Sequence, residues 1–210
     1  MSLSTKKPIT ELCLVRHGQS VWNAERRVQG QSDPQLSPLG LRQAKLVARR
    51  LQEESWSALY SSDLSRAKRT AEIIAKHTGL TVRTSSGLRE RCQGKRTGLL
   101  FQEAQERYPD PDAPEVGRET EEALLRRAKK AYAQIRDAHQ GQRVIVVAHG
   151  LLMGIFLKTI LEPLEELSME NTACTLLTWD GENWGCAYLA DASHLKGLEQ
   201  GEGLPRTGSR

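Results

Sequence analysis

The chain has 210 residues, 38% of them hydrophobic and 27% charged, the make-up of a globular domain able to bury a sizeable core. Its net charge of +4 is modest, and basic residues are interleaved with acidic ones, so the charge indicates neither a nucleic-acid nor a membrane partner. The longest apolar run, residues 144–148, is far too short to cross a bilayer. The four cysteines (Cys13, Cys92, Cys174, Cys186) lack the paired spacing of a zinc or redox site, so reduced thiols are expected.

The first ten residues are polar and no apolar stretch of signal-peptide length follows, which predicts a cytoplasmic protein. Residues 12–15 form a short apolar run that stops at Arg16-His17-Gly18, reading as a buried strand that enters a loop. A polar loop, residues 29–35, follows. Ser37 caps a helix whose first turn holds Pro38, with Leu41, Ala44, Val47, Ala48 and Leu51 at helical spacing. Residues 58–61 suit a second strand. Asp63 is placed to cap a helix running to His77, with Gly79 as its stop. Residues 80–83 suit a third strand.

The stretch 85–118 carries Gly and Pro and only one short helical pattern, near residues 100–108, so it reads as a flap over a site. Residues 119–139 form an amphipathic helix with Leu124, Ala128, Ala131 and Ile135 on one face. Residues 144–148 are the most strand-like run in the chain and end at His149-Gly150, where another apolar helix begins. Residues 173–179 and 184–189 flank Asp180-Gly181 as a hairpin. The Gly-rich, polar residues 196–210 read as a disordered tail. Strands alternating with helices predict an α/β fold, a three-layer α/β/α sandwich with a mostly parallel sheet, over residues 1–195.

Two histidines, His17 and His149, each follow a buried strand and each precede a glycine. Ligands of open α/β sheets bind beyond the C-terminal ends of strands, so the pair points to one shared site. Arg16 stands beside the first histidine, and its planar fork suits a tetrahedral anion. Arg66 falls in the first turn of the helix after the second strand, where backbone donors favour anions. Nothing in the spacing calls for a metal.

These residues resemble the histidine phosphatase superfamily, which includes the cofactor-dependent phosphoglycerate mutases. The resemblance rests on Leu14-Val15-Arg16-His17-Gly18-Gln19-Ser20 with Trp22-Asn23, and on Ser61-Ser62-Asp63-Leu64-Ser65-Arg66-Ala67 with Thr70-Ala71. It continues in Leu88-Arg89-Glu90-Arg91 and Val146-Val147-Ala148-His149-Gly150. It implies a phosphoglycerate mutase-like fold in which His17 attacks phosphorus and becomes a phosphohistidine. Arg16, Arg66 and His149 would surround the phosphoryl oxygens, with Asn23 adding a neutral hydrogen bond. Glu90 would protonate the leaving oxygen and then activate water. Gln29, Gly30 and Gly150 complete the implied substrate-binding set, and His194 either lines the mouth or packs.

No cofactor or metal is implied, and the partner would be a small phosphorylated metabolite. The sequence does not separate monomer from homodimer. Two departures bear on specificity. Many small phosphatases of the family carry Gly-x-Trp-Glu-Gly where this chain has Gly94-Lys95-Arg96-Thr97-Gly98, and the glycolytic mutases have a lysine where Phe101 stands. The expected activity is that of a phosphatase, the alternative a phosphoglycerate mutase, and the third reading a non-catalytic phosphoanion- or protein-binding domain. Arg89, Arg91, Lys95 and Arg96 crowd the segment around Glu90. They either rim the pocket and attract a second anionic group or form a solvated loop.

Overall fold

The computed structural model describes residues 8–164 and 167–198; the expected disorder of the C-terminal tail lies, from residue 199 onward, outside the described residues. Six strands form one sheet: β1 (Thr10–Arg16), β2 (Ala58–Ser62), β3 (Val82–Ser85), β4 (Arg143–Ala148), β5 (Cys174–Trp179) and β6 (Trp184–Asp191). Their order is β3-β2-β4-β1-β5-β6. The pairings β3/β2, β2/β4 and β4/β1 are parallel, whereas β1/β5 and β5/β6 are antiparallel. The sheet is therefore parallel over its first four strands and closed on one side by the expected hairpin.

Alternation along the central strands sorts side chains to two faces. Leu12, Leu14, Val144 and Val146 pack with α5 (Glu121–Ala138) and α6 (Gly150–Lys158). Cys13, Val15, Ile145 and Val147 pack with α2 (Pro38–Leu51) and α3 (Ser65–Thr78). Helices on both faces bury the central strands β1 and β4 almost completely, which is why those two read as apolar runs, whereas the edge strand β3 has no buried residue. This is the predicted three-layer α/β/α sandwich. Among the described residues no helix is long and apolar enough to cross a membrane.

Several local expectations change. Ser37 caps α2 as predicted, accepting from Gly40 N. Leu41 is 36% exposed, because it sits at the edge of the apolar stripe. Asp63 does not cap α3: the cap position is Leu64, and Asp63 instead pairs with Arg89. The capping carboxylate comes from Asp33, which accepts from Ser65 N and Ser65 Oγ, both at 2.6 Å. The third strand begins two residues later than predicted, and the long helix starts at Glu121 with Thr120 as its cap. A four-residue helix, α1 (Val21–Ala24), was not foreseen; Ser20 and Asn23 cap it reciprocally. Between β3 and α5 the chain holds three single-turn 3₁₀ segments and one short helix, α4 (Phe101–Arg107).

Candidate active site

The parallel register of β1 and β4 pairs Arg16 with Ala148, so His17 and His149 leave the sheet side by side. Their ring centroids lie 5.1 Å apart. His17 N donates to Ala148 O at 3.0 Å, and Asn171 Nδ2 donates to His17 O at 3.0 Å. His17 Nδ1 lies 2.7 Å from Gly18 O. A carbonyl can only accept, so Nδ1 carries the hydrogen and Nε2 keeps its lone pair.

The loop after His17 requires its glycine. Gly18 N donates to Thr70 Oγ1, and a Cβ on Gly18 would stand 2.6 Å from Gly40 O. Any side chain there would push the loop from α2 and disturb the imidazole.

Arg66 is 1% exposed. Its Nη1 and Nη2 donate to Ser32 O at 2.7 Å and Gly30 O at 2.8 Å, and its Nε points at His17 Nε2 at 3.3 Å. Arg16 Nη1 donates to Met169 O, in the segment that leads into β5. Burial lowers the Arg66 pKa to about 10, and it lowers that of Arg16 too. Both guanidinium groups remain charged near neutrality.

Burial, reinforced by Arg66 and Arg16, holds His17 well below its ordinary pKa. His149 is driven the same way by burial, then by Arg66, His17 and Arg16. Two neutral imidazoles thus sit between two cations. Both ring nitrogens of His149 and Nε of Arg16 are buried without a hydrogen-bond partner among the described residues. Each such group costs about 1–3 kcal/mol in an ordinary core, a cost expected where polar groups are kept for a ligand.

Glu90 lines the same pocket as Arg16, His17 and Arg66. Its Oε1 accepts from Leu152 N at 3.0 Å and Arg91 N at 2.9 Å, and its Oε2 accepts from Leu151 N at 3.2 Å. The carboxylate therefore rests on the first turn of α6, the helix that begins just after His149.

Together these groups enclose a pocket of about 230 Å³. Of the residues singled out from sequence, Arg16, His17, Asn23, Gln29, Gly30, Arg66, Glu90 and Gly150 line it. His149 does not: it is 0% exposed and lies beside His17. Asn23 and Gln29 are tied to Ser20, whose hydroxyl donates to Gln29 Oε1 at 2.7 Å. A Cβ on Gly150 would approach Arg16 Nε to 3.2 Å, so glycine there leaves room for the guanidinium.

Arg27, Val28, Gln93, Phe101 and Leu151 also line the pocket. Local sequence pattern did not flag them as site residues, although Phe101 stood out by its difference from the mutases. Tertiary pairing brings them in: Val28 N donates to Leu99 O and Gly98 N to Val28 O, each at 2.8 Å. The flap is thereby stitched to the loop after α1.

The basic segment around Glu90 does not rim the pocket. Arg89 makes a bidentate pair with Asp63 at 2.8 and 2.6 Å. Arg91 is buried on Asp112 and Glu119 O, Lys95 is exposed, and none of these nor Arg96 lines the cavity. His194 packs rather than lining the mouth: Nε2 meets Thr172 Oγ1 at 3.0 Å. Burial lowers its pKa to about 4. His139 is buried against Tyr60 and Gln142. All four cysteines are free thiols. Among the described residues no cluster of three or more His, Cys, Asp or Glu side chains is arranged to hold a metal ion.

Comparison with known proteins gives a consistent result. Residues 12–192 match the histidine phosphatase superfamily (branch 1). Phosphoglycerate mutase-like protein 4 of Arabidopsis thaliana is 38% identical over 215 residues, covering 94% of this chain and 93% of the relative. The metal-independent phosphoserine phosphatase of the same plant is 36% identical over 210 residues, covering 93% and 87%. Among solved structures, Bacillus stearothermophilus YhfR superposes with a TM-score of 0.83 at 30% identity, covering 89% of this chain and 99% of that one.

Proposed function

The chain belongs to the histidine phosphatase superfamily, and from that premise we propose that it is a phosphomonoesterase acting on a small phosphorylated metabolite through a phosphohistidine on His17. The observation that carries this reading is the fixed tautomer of His17: Nδ1 is held by Gly18 O, so the lone pair lies on Nε2, which accepts from Arg66 Nε at 3.3 Å in a pocket that Arg16 also lines.

In the first step His17 Nε2 forms a bond to phosphorus while the bond to the ester oxygen breaks. The electron pair leaves with that oxygen, which takes a proton from Glu90. In the second step Glu90 removes a proton from water, and the hydroxyl oxygen attacks phosphorus. The N–P bond breaks, its electron pair returns to Nε2, and orthophosphate leaves. Negative charge spreads over three equatorial oxygens in each transition state. Arg16 and Arg66, which line the pocket, are the groups that stabilise it, and His149, buried beside His17 with both ring nitrogens unpartnered, is the further donor that a seated phosphate would meet. Fixed guanidinium groups supply the charge that a divalent cation supplies elsewhere, so the reaction runs without metal.

Hydrolysis is favoured over mutase chemistry by the rim. Phe101, 50% exposed, stands where the glycolytic mutases carry a lysine, and Arg89 and Arg91 are engaged with carboxylates. Arg27, the further cation on the pocket wall, is bound to Glu25 and Gly98 O, so the pocket has few cations free to retain a second anionic group while the phosphoryl group waits on His17. A relative named as a metal-independent phosphoserine phosphatase fits the same substrate size.

Hydrolysis of p-nitrophenyl phosphate and phosphoserine should be measured beside isomerisation of 3-phosphoglycerate, in EDTA, with and without bisphosphoglycerate. Hydrolysis that persists in EDTA, with slow isomerisation, is expected. Efficient isomerisation dependent on bisphosphoglycerate would make the protein a mutase, and no turnover of any ester would leave a binding domain.

A further inference from the structure

Glu90 lies between two 3₁₀ turns, Ser86–Leu88 and Gly94–Arg96, and no strand or helix fixes its backbone. Its segment is instead gathered by one side chain of α5. Arg127 Nη1 donates to Gly87 O at 3.1 Å and Arg89 O at 2.6 Å, and Nη2 donates to Glu90 O at 2.9 Å. The remaining donors go to Glu119: Nε to Oε1 at 2.7 Å and Nη2 to Oε2 at 2.8 Å. A guanidinium has five N–H donors, and all five are accounted for. Glu119 adds a second tie, since Oε2 accepts from Cys92 N at 3.2 Å. Gln31 Nε2 also donates to Glu90 O at 3.1 Å and Glu119 N to Cys92 O at 3.0 Å, but the Arg127–Glu119 pair is the tie that reaches the backbone on both sides of Glu90.

This pair does not line the pocket. Its geometry is also specific to arginine. A lysine, with three donors at a single point, cannot reach three carbonyls and both oxygens of a carboxylate. The side chains of Arg127 and Glu119 are 22% and 15% exposed, so the tie is only weakly screened by solvent.

We propose that Arg127, locked by Glu119, is the positioning residue for the general acid: it sets the height of Glu90 over the leaving-group oxygen and does not serve the nucleophile. The inference rests on the assignment of Glu90 as acid. Proton transfer requires hydrogen-bond reach, and a displacement of about 1 Å in a catalytic group can cost about 100-fold. The cost falls on esters that need a proton. An aryl phosphate with a good leaving group needs little.

The test compares wild type, Glu90→Gln, Arg127→Lys, Arg127→Ala and Glu90→Gln/Arg127→Lys on phosphoserine and on p-nitrophenyl phosphate. Arg127→Lys preserves charge and is the variant to read if Arg127→Ala fails to fold. It should lose about 10–100-fold in kcat on phosphoserine and less than about 3-fold on p-nitrophenyl phosphate. The double variant should lose no more on phosphoserine than Glu90→Gln alone, because a displaced acid and an absent acid are equally useless. Equal losses on both substrates, or a further multiplicative loss in the double variant, would overturn the inference and leave Arg127 as a fold residue. If Glu90→Gln itself loses equally on both substrates, the acid assignment fails first, and the positioning role falls with it.

Discussion

In the proposed reaction, the phosphate end and the leaving-group end of the pocket are built by different means. Arg16, His17 and His149 stand at the ends of β1 and β4, held by a parallel ladder buried on both faces. Glu90, Gln93 and Phe101 come from the stretch between β3 and α5, which contributes no strand and is held by side chains such as Arg127 and Glu119. The comparison separates what must be rigid from what can vary. Phosphoryl oxygens are the same in every phosphomonoester, so their donors sit on the least adjustable part of the fold. The alcohol differs from one metabolite to the next, and the groups that meet it sit on loops where replacement disturbs little of the sheet.

The largest expected effect lies at the rigid end. His17→Ala should reduce turnover of every ester to less than about one-thousandth of wild type while circular dichroism remains native. A variant that retained near-normal rates on any ester would break the comparison, because the sheet-borne end would then not carry the chemistry. At the other end, Glu90→Gln should slow alkyl phosphates by about 10²–10⁴-fold but spare p-nitrophenyl phosphate, as read from kcat across a series of leaving groups. A flat series would make Glu90 a cap of α6 only, through its bonds to Leu151 N and Leu152 N.

The rigid end was the more legible of the two from sequence. An apolar run that stops at His17, and another that stops at His149, place both residues at strand ends by period and hydrophobicity alone. Arg66 follows from its place one turn into the next helix. Glu90 had no such local signal. It sits among arginines, and only resemblance to a family singled it out. The basic residues around it looked like an anion-attracting rim, but none lines the pocket, and two pair with carboxylates far along the chain: Arg89 with Asp63, Arg91 with Asp112. The cap of α3 was misassigned for the same reason, since Asp33 reaches Ser65 across a gap in sequence. Local chemistry predicts that a group will find a partner; it does not say which.

Acidification sharpens the comparison at a smaller scale. Burial and then the neighbouring Arg66 hold His17 and His149 well below the ordinary histidine value of 6.5. The unfolded chain takes up protons below about pH 6.5 that the folded chain refuses, so stability is complete above that pH and is lost as pH falls. Each of these two histidines should cost about 1 kcal/mol one pH unit below its unfolded pKa. His194, lowered to about 4 by burial, adds to the slope in the same direction, and His17 and His149 together should lower Tm by roughly 5 °C between about pH 7 and 5.5. His149→Gln should remove part of that slope. Saturating orthophosphate should flatten it too, because a bound anion favours the imidazolium. A Tm that does not fall, or a slope unchanged by both, would mean the histidines are not held neutral. The smallest effect belongs to two basic residues of the flap that do not line the pocket, exposed Lys95 and half-buried Arg96. Lys95→Ala with Arg96→Ala should change KM for phosphoserine by less than about 3-fold, the scale of a charge outside the site. A larger change confined to anionic substrates would place these side chains at the rim after all.

The central claim is that the phosphoryl group passes through Nε2 of His17, and trapping it is the direct measurement. The enzyme is mixed with phosphoserine, quenched in alkali within a turnover, and mapped by mass spectrometry, with a parallel acid quench. The account predicts one phosphate on His17 that survives alkali and is lost in acid, as a phosphoramidate is, and none in His17→Ala. A phosphoenzyme stable to acid, or label at equal level in His17→Ala, would contradict it.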